Sequence, residues 1–159
     1  MIVILVVDDE PGDCQSMAKA LEQEGYRVLQ AADSTSALRV ADQQERTIDL
    51  LVTDISLPGT NGCELAQQLL KRWPELKVLF VSGHVGAEVC RYYGIPVTDL
   101  CFLRKPFGPD ALVERVRRVL QTNESLVLAK SGAEPKSTRN RPLMRGSSAA
   151  GLHVTVQFV

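Results

Sequence analysis

Residues 2–11 read Ile-Val-Ile-Leu-Val-Val-Asp-Asp-Glu-Pro, an apolar, β-branched run that ends in three acids and a proline. A short continuous apolar run of this kind is typical of a strand that is covered on both faces. Proline is favoured in the first turn of a helix, so a helix is expected to begin near Pro11. The run lacks a basic flank and is too short to cross a bilayer. We therefore expect a buried strand, and neither a signal peptide nor a membrane span.

The alternation of strand and helix continues along the first 121 residues. Apolar runs predict strands at 2–7, 26–29, 48–53, 78–81 and 100–103, and apolar residues at helical spacing predict helices at 11–24, 34–44, 65–73, 85–93 and 109–120. Strands that alternate with helices build a parallel sheet through right-handed crossovers. The sequence therefore predicts a doubly wound α/β domain, a fold that binds its ligands at the carboxyl ends of the strands.

Polar residues follow four of the five predicted strands at that edge. Asp8 and Asp9 follow the first strand, Asp54 the third, Ser82 the fourth and Lys105 the fifth. Three carboxylates in one basin repel one another unless they are protonated or neutralised by a cation. Oxygen ligands of this kind favour Mg²⁺. We therefore expect a magnesium site at this edge.

The same set of residues suits phosphoryl chemistry. An aspartate beside a divalent ion, a lysine and a hydroxyl can attack phosphorus and form an aspartyl phosphate. Asp54 is the best candidate nucleophile because it stands alone at the end of the central strand. Lys105 and the metal would neutralise the phosphoryl oxygens, and the Ser82 hydroxyl would donate a hydrogen bond to one of them.

In their order and spacing these residues resemble the receiver domain of two-component response regulators. The matching motifs are residues 6–11, Asp54 with Leu57-Pro58-Gly59 and Gly62, Ser82-Gly83, and residues 102–107. The resemblance covers residues 1–121 and implies a flavodoxin-like, five-stranded parallel sheet of strand order 2-1-3-4-5. Ser82-Gly83-His84, followed by a short stretch to Phe102, is more similar to receivers joined to hybrid histidine kinases than to those of DNA-binding regulators.

The resemblance also implies roles for the individual residues of the metal site. It makes Asp54 the phosphoacceptor, which receives its phosphoryl group from a sensor histidine kinase or a histidine phosphotransfer protein. Mg²⁺ would be held directly by Asp9, Asp54 and the backbone carbonyl of Ser56, and by Asp8 through a metal-bound water. The domain would catalyse only its own phosphorylation and dephosphorylation, and would therefore be a phosphoacceptor and not an enzyme acting on external substrates.

The resemblance implies three further roles, one in binding the phosphate and two in the conformational change that phosphorylation causes. Lys105 takes the position of the phosphate-binding lysine, and its bond to Pro106 is expected to be cis. Ser82 and Phe102 take the two switch positions. Because Phe102 lacks a tyrosine hydroxyl, its switching would depend on packing alone. The resemblance implies a downstream protein partner and allows a phosphorylation-dependent dimer. The net charge of −1 gives no reason to expect direct binding to DNA or membrane association.

Three other functions would use the same α/β sheet. A pseudo-receiver would use the fold as a docking surface without phosphorylation, although Asp9, Asp54 and Lys105 are all present. A phosphatase working through an aspartyl phosphate needs an acid two residues after the nucleophile, and that position is Ser56. A nucleotide-binding domain would need a glycine-rich phosphate loop, and the sequence contains neither of the two common motifs.

Composition and charge indicate the class of protein and its compartment. The chain of 159 residues is 45% hydrophobic and 23% charged, with a net charge of −1, as expected of a globular protein. The four cysteines form no Cys-x-x-Cys pair, so neither a zinc site nor a disulfide framework is indicated and the cytoplasm is the expected compartment. Cys63, Cys90 and Cys101 are expected to be small buried hydrophobes.

The segment 122–159 differs from the predicted domain. It is basic and rich in Ser, Gly, Pro and Arg, so we expect a flexible extension that acts as a solvated linker. Residues 152–159 alternate as a strand does, and could pair with a sheet edge or be a reading-frame remnant.

Overall fold

The computed structural model describes residues 1–83, 87–95 and 99–122. Five parallel strands form one sheet in the order β2-β1-β3-β4-β5, as predicted. The elements are β1 (Val3–Val7), α1 (Pro11–Gln23), β2 (Arg27–Ala31), α2 (Ser34–Asp42), β3 (Leu50–Asp54), α3 (Gly62–Arg72), β4 (Lys77–Ser82), α4 (Ala87–Tyr92), β5 (Phe102–Arg104) and α5 (Pro109–Gln121). His84 and the extension beyond Thr122, including its predicted terminal strand, lie outside the described residues.

Helices cover the sheet on both faces, which explains the continuous apolar runs in the central strands. On one face Ile4 and Val6 of β1 pack with residues of α1 and α5. On the other face Val3, Leu5 and Val7 pack with residues of α2, α3 and α4. Every residue of β1 and β3 is consequently buried. Burial of this much apolar surface is the main force that holds the helices on the sheet.

Two strand boundaries differ from the predicted ones. β3 includes Asp54, because that residue pairs in register with Val81 of β4. β5 begins only at Phe102, because residues 99–101 form a turn of 3-10 helix. The Arg115 side chain donates hydrogen bonds to the carbonyls of Asp99 and Phe102 and so holds this turn against α5.

Two polar side chains hold separate chain segments together at the amino edge of the sheet. Asp49 accepts a hydrogen bond from the backbone N–H of Val3 at 2.7 Å. Lys77, the first residue of β4, donates to the carbonyls of Leu120 and Thr122 at the end of α5, the second at 2.7 Å. No helix in the described ranges has the length and apolar character needed to span a bilayer.

Candidate functional site

Three aspartates lie at the carboxyl ends of β1 and β3. Asp8 and Asp9 follow β1 directly, and Asp54 is the last residue of β3. One carboxylate oxygen from each residue lies within 4.8 Å of those from the other two. Asp8 and Asp54 are buried and Asp9 is exposed. The predicted meeting of these three carboxylates is confirmed.

Asp8 is the most deeply buried of the three. Its Oδ1 accepts a hydrogen bond from the backbone N–H of Glu10 at 3.0 Å, and its Oδ2 accepts one from Lys105 Nζ at 2.7 Å. Burial raises the pKa of Asp8 above its ordinary value, and the two hydrogen bonds oppose that shift only in part. A cation bound beside Asp8 would favour its charged form and relieve this cost.

Asp54 is oriented through both its side chain and its backbone. Its Oδ1 accepts a hydrogen bond from the Ser56 N–H at 2.8 Å, and its Oδ2 accepts one from Lys105 Nζ at 3.1 Å. Its backbone carbonyl accepts from Thr53 Oγ1 at 2.9 Å. That carbonyl also lies against Gly62, where a Cβ would sit 2.1 Å from the oxygen. Position 62 therefore requires glycine if Asp54 is to keep its place.

Lys105 reaches the carboxylates from the strand at the edge of the sheet. Its backbone N–H donates to the Ser82 carbonyl at 2.9 Å, and the Lys105–Pro106 bond is cis, as expected. Its Nζ contacts Asp8, Asp54 and also Asp13, the last at 3.0 Å. Burial alone lowers the pKa of a lysine, but these three carboxylates outweigh burial and hold the pKa of Lys105 above its ordinary value. Lys105 is therefore positively charged at neutral pH.

Asp13 is a part of the site that the sequence reasoning missed. It lies in the first turn of α1, which begins at the same edge of the sheet as Asp8. Its side chain is 55% exposed, so the ion pair with Lys105 is partly screened by solvent. The sequence does contain a signal, because a helix that starts after β1 places its first turn beside the strand end. The direction of a side chain around that turn is what the sequence pattern leaves undetermined.

The remaining predicted residues lie around this cluster. Ser82 is the buried last residue of β4, beside the strand that precedes Lys105. Ser56 follows Asp54 by two positions, and its backbone N–H is already engaged with that carboxylate. Phe102 is partly buried in β5 and packs against the core beneath α3 and α4. The structure thus brings Ser56 and Ser82 to the same edge as the aspartates, whereas Phe102 lies deeper, at the start of its strand.

The donor set fits a hard divalent cation. Four carboxylates, from Asp8, Asp9, Asp13 and Asp54, surround one ammonium group, so the described part of the site carries excess negative charge. The oxygens of Asp8, Asp9 and Asp54 converge closely enough to share one ion. Mg²⁺ prefers a few carboxylates together with water, and Asp9 is exposed on the open side of the cluster.

Comparison with known proteins agrees with this geometry. The family model described as the response regulator receiver domain matches residues 4–117. The sensor kinase CckA of Brucella abortus (strain 2308) is 30% identical over 122 residues, which are 76% of this chain and 13% of CckA. The phosphate regulon transcriptional regulatory protein PhoB of Pseudomonas aeruginosa is 37% identical over 121 residues, which are 74% of this chain and 51% of PhoB.

A solved structure shows the same fold. The non-phosphorylated HemR receiver domain from Leptospira biflexa superposes with a TM-score of 0.65 at 31% identity, covering 78% of this chain and 98% of the HemR chain. The chain thus spans nearly all of an isolated receiver but only part of CckA and PhoB. The matched family model extends over more than half of the sequence. The chain therefore belongs to the response regulator receiver domain family, the signalling modules of two-component systems.

Proposed function

We propose that this receiver domain accepts a phosphoryl group on Asp54 in a Mg²⁺-dependent reaction. The observation that carries the proposal is the position of Lys105 Nζ, which contacts Asp54 Oδ2 at 3.1 Å and Asp8 Oδ2 at 2.7 Å. A fixed cation beside a buried carboxylate is suited to neutralising a phosphoryl group that forms there. The donor would be a phosphohistidine of a sensor histidine kinase or a histidine phosphotransfer protein.

In this reaction the Asp54 oxygen that faces Lys105 forms the new O–P bond. The N–P bond of the donor phosphohistidine breaks, and its electron pair returns to the imidazole, which takes up a proton. Asp54 is held for attack by the Ser56 N–H on its other oxygen. Lys105 then exchanges carboxylate contacts for a contact with a phosphoryl oxygen, and the Ser82 hydroxyl donates to another.

The metal ligands follow from the same arrangement. Asp9, Asp54 and the Ser56 carbonyl would hold Mg²⁺ directly, and Asp8 would act through a bound water. When bound, Mg²⁺ would neutralise negative charge on the carboxylates and on the incoming phosphoryl group. Asp8 and Asp54 are fixed in advance by their hydrogen bonds to backbone N–H groups, which reduces the ordering that metal binding requires.

A partner must approach Asp54 from the open side of the cluster. A cavity of about 210 Å³ lies beside the cluster next to Lys105 and Asp13, and its other walls include Met17, Phe107 and Leu112. Its mixture of apolar walls and charged rim suits contact with a partner protein. Phosphorylation would then alter Ser82 and Phe102 and so change the surface offered to a downstream protein or to a second copy of the domain.

The experiment is an intact-mass measurement after treatment with acetyl phosphate. Wild-type protein should gain the mass of one phosphoryl group when Mg²⁺ is present and none in excess EDTA. The Asp54→Asn variant should gain none. The Asp42→Asn variant is the matched control, because Asp42 is an exposed aspartate whose ion pair with Arg72 lies on the surface of α2. Labelling that persists in Asp54→Asn would overturn the proposal.

A further inference from the structure

Two cysteines from different helices meet inside the core. Cys63 lies in the first turn of α3 and Cys90 lies in α4, 27 positions later in the sequence. Their Sγ atoms are 3.1 Å apart, and both residues are fully buried. The proposed phosphoryl chemistry uses neither of them.

The separation of these sulfur atoms suits a covalent bond. A disulfide has an S–S length of about 2.05 Å, so closure requires a movement of about 1 Å. The other cysteines are placed differently. Cys14 packs in the core on the opposite face of the sheet, and Cys101 is partly exposed beside β5. Cys63 and Cys90 are therefore the pair whose Sγ atoms the described structure places in contact.

The surroundings of the two thiols also make their reactivities differ. The two sulfur atoms share an S–H···S hydrogen bond that either of them can donate. When Cys63 donates it, the pKa of Cys90 is lowered against the opposing effect of burial. The thiolate is the reactive form of cysteine, so in this arrangement Cys90 is the better nucleophile of the two. Cys63 then remains as the resolving thiol. Both groups are shielded, so an oxidant reaches them when the short helix α4 opens locally.

We propose that Cys63 and Cys90 form a redox modification site that closes to a disulfide when the protein meets hydrogen peroxide. Cys90 Sγ attacks one peroxide oxygen, the O–O bond breaks, and the products are a sulfenic acid on Cys90 and one water. Cys63 Sγ then attacks the Cys90 sulfur, and the hydroxyl group leaves with the Cys63 proton as a second water. The two thiols lose two electrons in total, and the peroxide is reduced.

The bridge would join the two segments that carry the phosphoryl site. Cys63 directly follows Gly62, which packs against the Asp54 carbonyl. Cys90 lies on the helix that follows Ser82 at the end of β4. A disulfide would therefore tether α4, the helix that follows β4, to the start of α3, which packs against the Asp54 carbonyl. We expect oxidised protein to be phosphorylated more slowly than reduced protein by a factor of at least about five, an expectation that rests on the proposed function.

The first test maps the disulfide in the full wild-type chain. Protein is exposed to hydrogen peroxide, the remaining thiols are alkylated in denaturant, and non-reduced peptides are sequenced by mass spectrometry. We expect a linked peptide joining Cys63 and Cys90, lighter by two hydrogens and released by dithiothreitol. The Cys101→Ser variant should give the same link, and unfolded protein should lose the preference for this pair. Links to other cysteines, or two thiols that stay reduced while Cys101 oxidises, would overturn the proposal.

The second test measures coupling to Asp54. Oxidised, reduced and re-reduced wild-type proteins are compared in the acetyl phosphate assay, and the Cys63→Ala variant treated with peroxide shows the effect of oxidation without a bridge. Slower labelling that dithiothreitol restores supports the coupling, and equal labelling of bridged and reduced protein overturns it. The Asp54→Asn variant should still form the disulfide. Absence of labelling in reduced wild-type protein would count against the phosphoacceptor function alone, because peptide mapping does not depend on it.

Discussion

Lys105 Nζ donates a hydrogen bond to Asp54 Oδ2 across 3.1 Å, although the two residues are 51 positions apart in the chain. The contact joins the central strand to the edge strand of the sheet. The same ammonium group neutralises part of the charge of Asp8. Lys105 therefore neutralises carboxylates that a divalent cation would also neutralise, and it is placed to bind a phosphoryl group formed on Asp54. These two roles determine how variants of the site should behave.

The Lys105→Met variant should separate the effect of Lys105 on the rate of phosphorylation from its effect on Mg²⁺ binding. We expect the rate of phosphorylation by acetyl phosphate to fall about 100-fold, because a fixed charge beside the reacting group is lost. We expect Mg²⁺ to bind more tightly, because the carboxylates lose a competing cation. Mass spectrometry gives the rate, and amide chemical shifts give the affinity.

The control for this variant is Lys71→Met on the exposed surface of α3. It should change neither quantity. Amide chemical shifts are preferred to tryptophan fluorescence for measuring Mg²⁺ affinity. Trp73 follows the end of α3 that is far from Gly62, about 16 Å along the helix, and would not sense the metal. A Lys105→Met protein that is phosphorylated at the wild-type rate would contradict the role proposed for Lys105.

The Asp13→Asn variant tests whether Asp13 competes with the phosphoryl group for Lys105. Loss of that carboxylate leaves Lys105 with two partners, so we expect faster phosphorylation by about twofold to fivefold. The free energy of unfolding should change by less than about 0.5 kcal/mol, because the ion pair is exposed. The control is Glu22→Gln, an exposed acid near the other end of α1. Slower phosphorylation of Asp13→Asn would show that Asp13 assists the reaction.

The Gly62→Ala variant tests the close approach of α3 to Asp54. Its Cβ would lie 2.1 Å from the Asp54 carbonyl oxygen, so either α3 or Asp54 must move. We expect a loss of about 1–3 kcal/mol in the free energy of unfolding, measured with urea. In Gly12→Ala the new Cβ meets nothing within 4 Å, and this variant of α1 should be at least as stable as wild type. Equal stability of the two variants would contradict the predicted clash.

The Asp8→Asn variant tests the cost of burying a charged carboxylate. The pKa of Asp8 is raised in the folded protein, so its charged form destabilises the fold at pH values above that pKa. In EDTA at neutral pH, Asp8→Asn should therefore be more stable than wild type. The difference should shrink as the pH falls through the raised pKa and vanish below the ordinary value of 3.8, where Asp8 is protonated in both states. A difference that does not depend on pH would argue against this origin.

The strand ends were predictable because each of the first four apolar runs stops at, or just before, a polar residue. That pattern located Asp8, Asp54 and Ser82, and the parallel sheet brought them together. Lys105 was predictable from its place after the last strand. The start of β5 was wrong by two residues, since the 3-10 turn before it depends on Arg115 of α5, a contact that apolar periodicity does not report.

The two features that the sequence did not predict are both contacts between helices or between a helix and a loop. Asp13 reaches Lys105 because of the direction in which α1 leaves β1. Cys63 and Cys90 were predicted to be buried, and they are, but their contact depends on the packing of α3 against α4. Sequence spacing carries no information about either pairing, because the partners are distant along the chain.

The hydrogen bonds from Lys77 fix the position of the carboxyl end of α5. They hold the end of α5 at the amino edge of the sheet, and the length of β4 separates that edge from Ser82 by about 17 Å. A dye or fusion partner attached directly after Thr122 would therefore lie at the edge of the sheet opposite Asp54. It would leave the proposed phosphoryl site open to a bulky kinase, and it would report phosphorylation through a shift of α5 or β4.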